Sequence, residues 1–139
     1  MNRFVLDASV ALAWFIDNPT PPFAERARQA LLHGGKAVVP ALWHLEMANG
    51  FVVAERRGTL SAEDSMQAIE KIELLLGRAI ENAIEVISIR QVLAAARAFR
   101  LTAYDAVYLE ASRRENLPLA TLDRDLAAAA TKAGVKLVH

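Results

Sequence analysis

Hydrophobic positions in this chain come in two kinds of block: short β-prone runs, and longer stretches in which apolar side chains recur at helical spacing. The first run, Phe4-Val5-Leu6, ends at Asp7, and Ser9 to Asp17 then reads as a helix stopped by Asn18 and Pro19. Pro21 and Pro22 open a second helix to His33, closed by Gly34 and Gly35 where a left-handed cap is wanted. Ala37 to Val39 is a second strand, ended by Pro40, and a long helix follows from Ala41 to about Arg57 with Gly58 as its stop. Ser61, with Asp64 three residues on, has the form of a capping box for a helix to Leu76, which stops at Gly77. The Val- and Ile-rich stretch Ala83 to Ile89 predicts a strand, Gln91 to Phe99 an alanine-rich helix, and Thr102 to about Arg114 another helix. Leu117 to Leu122 is then a strand, Asp123 to Ala133 a helix, and Val135 to Val138 a last strand after Gly134. Short strands alternating with helices predict an α/β fold, with a central, mainly parallel, doubly wound sheet flanked by helices. No repeat, low-complexity tract or linker interrupts the pattern, so residues 1–139 are expected to form a single domain.

Composition narrows the chemistry. Hydrophobic residues make up 54% of the 139 and charged residues 23%, which argues against intrinsic disorder. A chain of this length buries roughly two thirds of its unfolded surface, enough for a core without staples. The absence of cysteine removes a disulfide scaffold, a thiol nucleophile and any zinc–thiolate site. His33, His44 and His139 make no close pair, which argues against a histidine-rich metal site. The longest nearly apolar run, Ala8 to Ile16, is far short of the roughly 18 residues a spanning helix needs. Asp7 interrupts the apolar stretch too early for a secretory signal, so a cytoplasmic location with no membrane partner is the expectation. Sixteen Lys and Arg balance sixteen Asp and Glu, and bulk charge therefore says nothing for nucleic-acid binding. The distribution is less even: Ser61 to Glu85 is mostly acidic, whereas the chain from Val86 onward leans basic. Solvated helix faces account for that bias without any further role.

Four acids stand out. Sites in open α/β sheets gather beyond the carboxyl ends of the strands. Asp7 ends the first strand and Asp123 follows the strand Leu117 to Leu122, so both are expected on one edge of the sheet. Alone, either also fits a helix N-cap, worth roughly 1 kcal/mol. Glu46 is the only Asp, Glu, Lys or Arg between Lys36 and Glu55, on a helix apolar on nearly every side, where Leu42, Asn49, Gly50 and Val53 share its face. A half-buried carboxylate is costly unless it meets a cation or donors, or escapes to solvent at the helix edge. Asp105 closes Thr102-Ala103-Tyr104-Asp105, which by itself can be a capping box and nothing more. Four like charges drawn together repel unless a cation holds them, and oxygen ligands without His or Cys select Mg²⁺ or Mn²⁺. Such an ion neutralises a phosphate and activates water, and no histidine is placed as a general base. Metal-dependent phosphodiester hydrolysis is the chemistry that fits. Ser9 and Thr121, each two residues from one of these aspartates, are placed to orient carboxylates or water, or to serve as ordinary capping hydroxyls.

With these residues in order, the sequence resembles PIN-domain proteins, and specifically VapC-type toxin ribonucleases. The resemblance spans nearly the whole chain. It is carried by Val5-Leu6-Asp7-Ala8-Ser9, Glu46-Met47-Ala48-Asn49, Leu101-Thr102-Ala103-Tyr104-Asp105-Ala106 and Thr121-Leu122-Asp123-Arg124-Asp125. Each motif is weak alone; all four in this order and spacing are fairly specific. The resemblance implies a PIN-like fold and a Mg²⁺- or Mn²⁺-dependent endoribonuclease, the toxin of a type II toxin–antitoxin pair. It also implies a homodimer acting on RNA, and a cognate VapB-like antitoxin whose C-terminal segment lies in a groove near the active site. The acidic quartet, catalytic and metal-binding, maps onto Asp7, Glu46, Asp105 and Asp123, and the supporting hydroxyls onto Ser9 and Thr121. Asp125 is an extra ligand by the same mapping, and equally an ordinary first-turn acid.

Trp14, Phe15, Trp43, Phe51, Val52 and Val53 put more bulk on two helices than one buried stripe requires, so these helices are either sandwiched in the core or turned toward another chain. Arg100, Arg113, Arg114 and Arg124 are available to RNA phosphates or to solvent. The competing assignment is a catalytically silent α/β module that binds RNA or protein. A receiver-like phosphoacceptor fits less well, because no adjacent acidic pair lies near the N-terminus.

Overall fold

Phe4, Val5 and Leu6 are apolar in succession, so the strand they form needs cover on both faces, as in the middle of a parallel sheet. The computed structural model describes residues 1–139, and there β1 (Arg3–Leu6) is central, with those three side chains fully buried. It pairs in parallel with β2 (Lys36–Val39) on one side and with β4 (Leu119–Ala120) on the other, while β3 (Ile80–Asn82) pairs in parallel with β2. The order is β3-β2-β1-β4. Seven helices fill the connections: α1 (Ala8–Ile16), α2 (Pro22–Leu32), α3 (Ala41–Arg56), α4 (Ala62–Leu75), α5 (Ile89–Phe99), α6 (Ala103–Glu115) and α7 (Arg124–Lys132). This is the expected α/β architecture, with the sheet parallel throughout. No helix is long and apolar enough to cross a membrane.

The strand order decides where a site forms. The chain steps outward from β1 to β2 to β3, then returns to lay β4 against the free side of β1. The direction of winding therefore reverses between β1 and β4, and a crevice opens beyond their carboxyl ends. Asp7 and Thr121 directly follow those two ends.

Two predicted strands differ from the observed ones. Ala83 to Ile89 is not a strand; β3 lies upstream, at Ile80–Asn82. The end of β2 supplies the reason. Ala83 N donates to Val39 O at 2.8 Å, and the next donor on that side of the partner strand would be Ala41 N, which already lies in the first turn of α3. Ile84, Val86 and Ile89 are left almost wholly exposed. The last segment does reach the sheet beside β4, but as a single bridge, Leu119 to Leu137, rather than a strand from Val135 to Val138. β4 itself is two residues long, within the span predicted from Leu117 to Leu122.

The bulky side chains of α1 and α3 are used mostly inside. Trp43 and Phe51 are buried, and Trp14 and Phe15 half-buried; Val52 is the exposed exception. The Trp14 indole donates to Ala24 O at 2.7 Å, which ties α1 to α2, and the Phe15 and Phe51 rings lie 6.2 Å apart between α1 and α3. Gly50 permits that second approach, because a Cβ at this position would come within 2.4 Å of the Leu12 side chain. Gly50→Val should therefore overpack the α1–α3 contact and cost about 1–3 kcal/mol. Urea unfolding should show a lower midpoint with an unchanged slope.

Candidate active site

Asp7 sits at the N-cap of α1, yet its side chain makes no capping hydrogen bond there. Its carboxylate turns instead to two hydroxyls. Ser9 Oγ and Thr121 Oγ1 each donate to Oδ2 at 2.7 Å. Each hydroxyl also accepts a backbone N–H at 3.0 Å, from Leu122 and Asp123 respectively. Each hydroxyl thus accepts one amide and gives its proton to Asp7, whose Oδ2 is held by two donors. The cluster clasps the ends of β1 and β4 together. Burial pushes the Asp7 carboxyl above its ordinary range, the Ser9 and Thr121 bonds work the other way, and the Asp123 charge adds to the rise.

Helix starts explain what places Asp105. Ser61 with Asp64, and Ser88 with Gln91, form complete capping boxes: the serine accepts the N3 amide, and the N3 side chain returns to the serine N–H. Thr102 likewise accepts Asp105 N at 3.2 Å, but the Asp105 carboxylate makes no return bond. The same motif thus has opposite electrostatic results. Asp64 is held below the carboxylate range by its backbone and side-chain bonds to Ser61. Asp105 is pushed up to about 6 by burial, then by the charges of Asp123, Asp7, Glu46 and Asp125.

Glu46 is half-buried on α3 and receives a hydrogen bond of 2.6 Å from the hydroxyl of Tyr108, whose ring is fully buried on α6. Burial raises the Glu46 carboxyl, the Tyr108 bond opposes this, and the Asp7 charge adds to it. Asp7, Glu46, Asp105 and Asp123 all line one open cleft of about 670 Å³. Asp123 also caps α7, its Oδ1 accepting Leu126 N at 2.9 Å. None of the molecule's four ion pairs includes a cleft acid, and none of the three histidines lines the cleft. No three acids close on a common point as an all-protein cage.

The expected face of α3 is largely realised, since Leu42, Glu46, Asn49 and Gly50 line the cleft and Val53 does not. Asp125 is exposed and outside its walls, acting only as a distant charge on Asp105. Two of the basic residues are engaged elsewhere: Arg113 with Glu110 and the Phe99 ring, Arg114 with Glu85 and Gln91. Tyr108 was not singled out by the sequence. Its signal was there in principle, because it lies three residues after Asp105 on one helix face and its hydroxyl needs a partner when buried.

A carboxyl whose folded pKa is raised gives stability at low pH that is lost as pH climbs through the folded value. For Asp105 the window runs from about 4, the ordinary unfolded value, to about 6. Without added divalent ion, Asp105→Asn should be more stable than the parent at pH 7.5 by about 1 kcal/mol, allowing for solvent screening of a half-exposed group. Thermal melts should show this as a rise of about 3 °C that disappears near pH 4.

The molecule is similar in fold to two crystal structures. PAE2754 from Pyrobaculum aerophilum matches with a TM-score of 0.72 and 22% identity, over 92% of this chain and 84% of that one. FitAcB from Neisseria gonorrhoeae matches with a TM-score of 0.59 and 18% identity, over 98% and 96%. No curated protein matches the chain in sequence. The family model of the PIN domain matches residues 4–132, almost the full length, and the chain belongs to the PIN-domain family.

Proposed function

We propose that this chain is a Mg²⁺- or Mn²⁺-dependent endoribonuclease, the toxin of a toxin–antitoxin pair acting in the cytoplasm, with Asp7, Glu46, Asp105 and Asp123 as the ion's ligands. One observation carries the reading: four carboxylates share a cleft in which burial and neighbouring charge raise the proton affinity of Asp7, Glu46 and Asp105, and none of the four meets a cation of the protein's own. The donor set, all oxygen, fits a hard divalent ion. Mg²⁺ keeps several waters and takes few carboxylates directly, so the open arrangement suits it better than a closed cage would. A bound ion supplies Lewis acidity to a phosphate and lowers the pKa of water. The chain's part is to hold the ligands still. Ser9 and Thr121 fix the rotamer of Asp7, Tyr108 steadies Glu46, and the half-made capping box leaves Asp105 free to face the cleft.

PIN domains are generally nucleases, which supports the reaction class. The four VapC-like motifs support the toxin role, and the likeness in fold to FitAcB supports a partner protein. Ile84, Val86 and Ile89 are 96%, 90% and 88% exposed, apolar surface of the kind a second copy or an antitoxin covers.

Asp7→Asn and Asp105→Asn should each abolish metal-dependent cleavage of RNA while circular dichroism shows the fold intact. Excess EDTA should silence the parent. Full cleavage by either variant, or in EDTA, overturns the assignment, and an inactive parent with Mn²⁺ present favours the silent binding module. Thr121→Val removes one of the two hydroxyls on Asp7 and should lower activity or Mn²⁺ affinity about 10–100-fold, read by cleavage rate and by calorimetric titration with Mn²⁺.

A further inference from the structure

Tyr104 differs from every other aromatic residue here. Among five Phe, two Trp and two Tyr, it alone is largely exposed, at 62%. It is the second residue of α6, directly before Asp105, and it lines the acidic cleft. From α3, Leu45 lines the same cleft and is 69% exposed. An uncovered ring and an uncovered leucine thus stand within a depression whose other walls carry four carboxylates.

Such a depression repels nucleic acid away from any ion it holds. The ion offsets only the phosphate beside it, the chain has no net charge, and no Lys or Arg lines the cleft. Within the cleft, affinity for the flanking nucleotide therefore comes from uncharged contact. A base stacked on an aromatic face gains affinity whatever its identity, because every base has a π-face. We infer that Tyr104, with Leu45 exposed in the same cleft, is the platform on which the base next to the scissile phosphate stacks. The site thereby selects unpaired nucleotides, because a base within an A-form helix has both faces covered already. This inference rests on the nuclease reading above.

The test uses the full chain with Mn²⁺, a 12-nucleotide single-stranded RNA of mixed sequence, and the same RNA annealed to its complement. Tyr104→Ala should raise KM for the single strand about 10–100-fold with a smaller change in kcat. Tyr104→Phe and Tyr104→Trp should restore it, Leu45→Ala should raise KM less, and the duplex should be cut poorly by all. In parallel, anisotropy of the labelled single strand in Ca²⁺ reads binding without cleavage. Parental KM in Tyr104→Ala, or failure of Phe to restore it, overturns the platform while leaving the nuclease reading intact, including the case where only antitoxin binding is lost. If the parent cuts nothing, the nuclease reading falls and anisotropy decides alone. Binding lost in Tyr104→Ala and regained in Tyr104→Phe then supports the platform, and equal binding, or none by the parent, overturns it.

Discussion

A carboxylate only 5% exposed at the end of a central strand is the constraint around which this molecule is arranged. Taking Asp7 out of water is unfavourable, and the protein offers it no cation. It offers two hydroxyls that both donate to Oδ2, each held in place by a backbone amide that donates to its oxygen. That arrangement needs β1 and β4 to be neighbours, their ends level, and the turn after β4 to fold back over Ser9. The position where the winding reverses and the position of the buried acid are therefore one requirement stated twice.

The remaining acids are set by more local rules. Asp123 sits where a helix starts, and one oxygen does the ordinary work of a cap. Asp105 sits where a helix starts and declines that work, so burial and the charges of its neighbours act on it unopposed. Glu46 has neither device, and the buried phenol of Tyr108 stands in for one. Hydroxyls at Asp7, a helix start at Asp123 and a phenol at Glu46 are thus three ways of holding a carboxylate in one cleft, and Asp105 is left unheld.

Much of this was legible in the residues. The punctuation by Pro40, Gly58, Gly77 and Gly134 marked the element ends, and the lone charge of Glu46 on an apolar helix marked the wall of the cleft. What was not legible depended on distant partners. Val and Ile between Ala83 and Ile89 carry strong strand preference, yet pairing is decided by the neighbouring strand, and β2 has given way to α3 by Ala41. A capping box and a half-made one are identical as sequence, and only the fold distinguishes Asp64 from Asp105. Tyr108 reads as core until the hydroxyl at its tip is seen to meet Glu46, 62 residues away.

The stretch from Ala83 to Ile89 carries a liability of its own. A β-prone, apolar segment that finds no partner strand at home is disposed to add to a sheet edge on some other molecule. Glu85 interrupts it, and the ion pair of 3.2 Å to Arg114 ties the segment to α6. A charge in such a place works as a gatekeeper. It contributes little to folding, and any strand added along this segment has to break that ion pair or bury its carboxylate.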